Sequence, residues 1–150
     1  MHEDSWLPAL RRYLAASLAG HAIWEALQLP LFTIWHDGTV RQIAFATLHC
    51  LAGDLVIASS ALVAALLLLG RPGWPRYRRF HVAAAVLAFG ITYTAWSEFN
   101  NAIIKRTWTY TDAMPLVPGL RIGLAPVLQW VLVPMLALIA ASRSLRKPSA

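Results

Sequence analysis

The amino-acid sequence predicts an all-α integral membrane protein: four transmembrane helices in an up-down bundle, with both termini on the cytoplasmic side. Three observations carry that prediction. Of 150 residues, 58% are hydrophobic and only 13% charged, against about a quarter charged in soluble domains. Four apolar stretches fill most of the chain, each near the roughly 20 residues needed to cross a bilayer. The basic residues gather in short runs beside those stretches. One membrane domain, residues 1–150, accounts for the whole sequence.

After a short polar lead (1–11), the first span is expected at 12–35. It carries Pro30 near its outer end, where a membrane tolerates a kink. Its length, and the interruption by His21 and Glu25, read as a retained span rather than a signal peptide. Asp37-Gly38 marks a turn. The second span is expected at 43–70, and its Ala61–Leu69 half suits lipid contact. A basic loop follows, Arg71–Arg79, with two prolines and a glycine. The third span is expected at 80–104. A longer loop, Lys105–Gly123, holds Trp108, Tyr110, Pro115 and Pro118. The fourth span is expected at 124–142, with Pro126 and Pro134 inside it and a basic tail after it.

Orientation follows from the cations. Arg11, Arg12, Arg71, Arg76, Arg78, Arg79, Arg143, Arg146 and Lys147 fall on one side; Arg41, Lys105, Arg106 and Arg121 fall on the other. The richer side is cytoplasmic by the positive-inside rule, in a bacterial-type inner membrane. Trp35, Trp74, Tyr77, Trp108 and Tyr110 lie near span ends, as an aromatic belt would. The net charge of +6 therefore belongs to topology and anionic lipid, not to nucleic acid.

The spans are not uniformly apolar. Three acids, Glu25, Asp54 and Glu98, lie well inside them with His21 and His49. An ionised side chain at the bilayer centre costs roughly 2.5–3.5 kcal/mol on insertion scales. Such groups must face one another, face a cavity, or hold protons. A rise of about 1.5 Å per residue puts Gln28, His49, Glu98 and Gln129 about 8–11 Å below the outer surface. On the same count Glu25 and Asp54 lie about 15–17 Å down and His21 deeper, with Asn101 near the surface. All share the periplasmic half. His21, Glu25 and Gln28 are spaced to share one helix face, as are Thr94, Glu98 and Asn101. His49 and Asp54 diverge by about 140° on a regular helix.

These residues form the expected site. Glu98, Glu25, His21, His49 and Asp54 are expected to carry proton chemistry. Gln28, Asn101, Gln129 and Trp130 are expected to line a ligand pocket. Each has a plainer reading, as a self-satisfied pair, a helix end, or interhelical glue. No cofactor is expected. Cys50, the only cysteine, sits beside His49, so a metal stays open, although no HxxxH, HExxH or CxxC spacing is present. The expected partners are the lipid bilayer and a lipophilic small molecule, with a homo-oligomer or a membrane complex also open.

The layout resembles the EXPERA group, four-helix membrane proteins that include the emopamil-binding sterol isomerases. The resemblance rests on His21-Ala-Ile-Trp-Glu25, which looks like that family's His-x-x-x-Glu, on Glu98 near the exit of the third span, and on Gln129-Trp130 through Pro134 in the last. It departs where Gln129 and Trp130 are adjacent rather than three apart, and where the second span offers His49 and Asp54 instead of a Glu. The resemblance implies an intramembrane cavity in which His21, Glu25 and Glu98 move protons and a double bond migrates. Two other readings stand beside it: proton or metal-ion transport or sensing, and a structural subunit of a membrane complex.

Overall fold

The first helix, α1, runs from Trp6 to Gln28. Its buried positions are Ala9, Tyr13, Ser17, His21, Glu25 and Gln28, a three-and-four spacing that keeps them on one face. The polar side of this helix is thus its inner side, while Leu14, Leu18, Ile23 and Leu27 point outward. The computed structural model describes residues 6–143, and among these it is all-helical apart from turns and loops.

The helix ends earlier than expected. Where the sequence reading carried one span through Trp35, α1 stops at Gln28, a tight 3-10 turn covers Leu29–Leu31, and a four-residue helix, α2, follows at Ile34–Asp37. Pro30 is the reason. The residue before a proline is pushed away from the α conformation, and the proline ring obstructs the preceding turn. At the other end α1 begins at Trp6 and takes in residues through Arg11 that had been assigned to the polar lead.

Helix α3 spans Val40–Leu69, starting three residues before the expected boundary. A capping box explains the start. Thr39 Oγ1 accepts from the Gln42 amide at 3.4 Å, and Gln42 Oε1 accepts from the Thr39 amide at 2.9 Å, which satisfies two otherwise orphaned donors. Helix α4 spans Arg79–Glu98 and continues as a π-helical stretch, Phe99–Ile104. Helix α5 spans Leu124–Ser142, the bounds read from the sequence, with Pro134 buried inside it.

Three helices are long and apolar enough to cross a membrane: Val40–Leu69, Arg79–Ile104 and Leu124–Ser142. The first of the four expected spans is not among them; α1 carries Arg11, Arg12, His21, Glu25 and Gln28 in its 23 residues.

Helix α1 packs along α5 and α3, and α4 packs along the same two. Two glycines leave room for close contacts between helices. A Cβ at Gly20 would stand 2.8 Å from Val133 Cγ1, and one at Gly90 would enter the Trp130 ring. Small residues let transmembrane helices meet in this way. The end that holds the α1 N-terminus is filled by Ala9, Tyr13, Ala61, Leu62, Ala65, Val82, Val86 and Ala137. Trp74 joins this core from the Arg71–Arg79 loop, so it does not belong to an aromatic belt.

Candidate functional site: a polar cavity among the helices

The other end of the helices is built differently. The last turns of α1, the first half of α3, the end of α4 and the first turns of α5 surround a cavity of about 540 Å³. Glu25, Asp54 and Glu98 all line it. Each residue is less than a tenth exposed, so their carboxyl groups meet the cavity rather than bulk solvent. Most of the remaining wall is apolar or aromatic, including Phe32, Phe45, Ile57, Tyr93 and Trp130.

Gln129 organises the inner wall. Its Nε2 lies 2.8 Å from Asp54 Oδ2, 3.3 Å from Glu25 Oε1 and 2.9 Å from His21 Nδ1. Gln28 Nε2 donates to Glu25 Oε1 at 2.9 Å and to Gln129 Oε1 at 3.2 Å. Trp24 Nε1 in turn donates to Gln28 Oε1 and to the Ala125 carbonyl, both at 3.2 Å. Residues of α1, α3 and α5 are thereby tied into one network.

Proton counting constrains this network. An amide nitrogen has two N–H bonds, and Gln129 faces three acceptors. His21 Nδ1 also lies 3.3 Å from Asp54 Oδ2. Gln129 therefore serves two of the three: donating to Asp54 and to an unprotonated His21 Nδ1 leaves Glu25 to Gln28, whereas donating to Asp54 and Glu25 leaves Gln129 Nε2 and a protonated His21 Nδ1 as two donors 2.9 Å apart. In either arrangement His21 Nε2 is buried without a hydrogen-bond partner. That ring packs against Trp130, with centroids 5.1 Å apart.

Glu98 forms the opposite wall. Its Oε2 accepts from the Tyr110 hydroxyl and, at 3.4 Å, from Trp108 Nε1. Both donors come from the loop 105–123, which is itself pinned down. Thr33 N donates to the Thr109 carbonyl at 3.0 Å and Thr111 N to the Leu31 carbonyl at 2.9 Å. The rings of Phe32 and Tyr110 meet edge to face at 5.6 Å. Met114 and Ile122 are buried and anchor the rest of the loop. Burial first, then the adjoining Glu98 carboxyl, hold the Tyr110 phenol above its usual range, so it remains a donor at neutral pH.

The expected site residues thus sort by position. Glu25, Gln28, Asp54, Glu98, Asn101, Gln129 and Trp130 line the cavity. Asn101 spends its amide on Ser97, donating to the carbonyl at 2.9 Å and to Oγ at 3.2 Å. His49 is on the wall too, but at an exposed edge, stacked on Phe45 with ring centroids 5.7 Å apart. The divergence of His49 from Asp54 is realised: Asp54 turns to His21 and Gln129, and His49 turns away. His21 stands behind the wall, against Asp54, Gln129 and Trp130. Trp108 and Tyr110 were missed as site residues, having been assigned to the membrane interface. An acid at a span exit, followed by aromatic donors 10 and 12 residues on, was the available signal.

Among the described residues, no three His, Cys, Asp or Glu side chains are grouped to hold a metal ion. Set against family models, curated proteins and solved structures, the chain matches none of them.

Proposed function

We propose that this chain crosses a bacterial-type inner membrane four times, with α1 as the first span and both termini cytoplasmic, and that its cavity opens in the periplasmic half. The inward polar face of α1 supports the fourth crossing. Its charged and amide groups are covered by α3 and α5, leaving a leucine-rich outer face for lipid. Packed against protein, such groups avoid the cost of facing hydrocarbon.

The cavity is the working site, and its occupant is a lipophilic small molecule. One observation carries this reading: Glu25, Asp54 and Glu98, from three helices, line one space with mostly apolar walls. A carboxyl pair, Glu25 and Asp54, and a third carboxyl, Glu98, lining one mostly apolar cavity suit acid/base chemistry on a hydrocarbon frame, as the resemblance to the sterol-isomerase group implies. One carboxylic acid, Glu98, donates its proton to one carbon of a double bond. A carboxylate of the Glu25–Asp54 pair takes a proton from the carbon beside the cation so formed. The double bond moves by one position and the protein returns to its starting state once the proton is passed back. His21 positions Asp54 rather than touching the substrate.

A transport path is less well supported. Below His21 the helices close over Tyr13, whose hydroxyl donates to the Ala58 carbonyl at 3.2 Å, and over an apolar core.

The test is a comparison of lipid extracts from cells producing the native chain and the Glu98→Gln variant, read by mass spectrometry with resolution of double-bond isomers. The reading expects an isomer shift with the native chain that Glu98→Gln abolishes at equal membrane yield. Identical extracts from the native chain, Glu98→Gln and Glu25→Gln, with nothing lipophilic co-purifying, would end it.

A further inference from the structure

The cavity has a neighbour. A second, smaller pocket of about 270 Å³ sits at the surface beside it, and Ile34, Thr107 and Trp108 line both. The two spaces therefore share a wall. The larger lies among the helices and is mostly apolar. The smaller is made by Thr33, α2, the first turn of α3 at Gln42 and the start of the loop 105–123, at the end of the helices that the proposed topology puts among lipid headgroups.

The chemistry of the small pocket is specific. It carries one acid, Asp37, and one base, Arg106. Both are exposed, and they do not pair with each other: among the described residues the only ion pair within 4.0 Å is His21–Asp54. Hydroxyls of Thr33 and Thr109 and the amide of Gln42 complete the polar lining. The frame is held by the Thr33 and Thr109 hydroxyls, 2.6 Å apart, and by the capping box at Thr39. A pocket with one charge of each sign, left apart, fits a headgroup that is itself zwitterionic. Its anionic group meets the Arg106 guanidinium, a strong donor to phosphate, and its cationic group meets Asp37.

We propose that the occupant of the main cavity is an amphiphile with a zwitterionic head, such as a phosphate ester of an amino alcohol, seated between Arg106 and Asp37. Its apolar chain passes the shared Trp108 wall and lies against Glu25, Asp54 and Glu98. This rests on the cavity reading above and narrows it. The reacting or recognised part of the ligand is the chain, and the head only holds the molecule in register. Trp108 is suited to the junction, because its ring is apolar and its N–H faces Glu98.

Native mass spectrometry of the purified chain tests this with four probes: palmitoyl lysophosphatidylethanolamine, palmitoyl lysophosphatidylglycerol, hexadecanol and glycerophosphoethanolamine. The expected result is binding of the zwitterionic lysolipid at least fivefold tighter than of hexadecanol or of the anionic lysolipid, with no binding of the free head. Arg106→Gln and Asp37→Asn should each erase that advantage and leave hexadecanol binding unchanged, which also shows that the variants are folded. Equal binding of hexadecanol and the zwitterionic lysolipid would overturn the headgroup proposal and leave the cavity reading intact. An anionic lysolipid that binds as tightly would remove the role of Asp37 and overturn the proposal as well. Absence of binding by every chain-bearing probe would overturn both.

Discussion

The two ends of this helical assembly use the same backbone for opposite purposes. At the α1 N-terminal end, Ala9, Ala61, Leu62, Ala65, Val82, Val86 and Ala137 fill the space between helices. At the other end the helices enclose a cavity of about 540 Å³ walled by three acids. Small side chains allow close approach at the first end, while carboxyls and amides hold the second open. The difference separates the end where packing contributes most from the end where we place the proposed function. Dense packing stores dispersion and burial energy. An open polar space forgoes it, and the network of Gln28 and Gln129 only prevents the penalty of unpaired buried groups. Gly90 against Trp130 marks the boundary: the tryptophan reaches the cavity wall and its ring fills the space where a Cβ at Gly90 would stand.

Substitutions in the two ends should therefore separate cleanly. The largest effect is expected for Glu98→Gln, which on the proposed function removes the proton donor: turnover should then fall by about 10²–10⁴-fold with the melting temperature unchanged, as read by product formation and thermal denaturation of the same sample. Next, Leu62→Ala in the packed end should cost about 2–5 kcal/mol of stability and leave ligand affinity alone; a large affinity loss there would blur the division. Tyr110→Phe comes third. It strips one donor from Glu98, a change of about 1–3 kcal/mol, and should weaken ligand binding roughly tenfold while the loop stays in place, as tested by protease resistance. Because the Tyr110 phenol is raised above its normal value of 10.0 by burial and by Glu98, its stabilising contribution is complete below about pH 10 and is lost as pH rises further. The native chain should lose stability above that pH more steeply than Tyr110→Phe. The smallest effect belongs to His49→Ala. This ring is exposed and outside the carboxyl network, so affinity and stability should move by no more than about 0.5 kcal/mol. A hundredfold loss of turnover would give it a part in the chemistry.

Much of the arrangement was legible before any coordinates. The bounds of α5 and the reach of α4 follow from mostly apolar stretches of spanning length with cations just beyond their ends. Counting helical rise put Glu25, Asp54, Glu98 and Gln129 in the same half of their spans, and all four line the cavity, although the count for Glu25 began at Trp35 and not at the end of α1, Gln28. Rotation and loops were less legible. The sequence shows that His21 and Glu25 share a face, but not that the cavity edge falls between them; that depends on how α1 turns against α5 at Gly20 and Val133. Trp108 and Tyr110 reach Glu98 only because the loop is stitched to Leu31 and Thr33, a pairing across more than 70 residues that no local pattern encodes. The end of α1 was misread for a simpler reason: Pro30 was treated as a tolerable kink, whereas the turn it enforces frees the chain to form α2.

Cys50 offers the most direct probe of the shared space. It is the only cysteine and lines the same cavity as the three acids. The measurement is labelling of the purified chain by dicyclohexylcarbodiimide, quantified at each carboxyl by mass spectrometry, before and after Cys50 is capped with benzylmaleimide. One common cavity predicts that the cap suppresses labelling at Glu25, Asp54 and Glu98 together and spares Asp37 at the surface. Labelling of the three that is unchanged, or lost at one and kept at the others, would mean that they do not share a space.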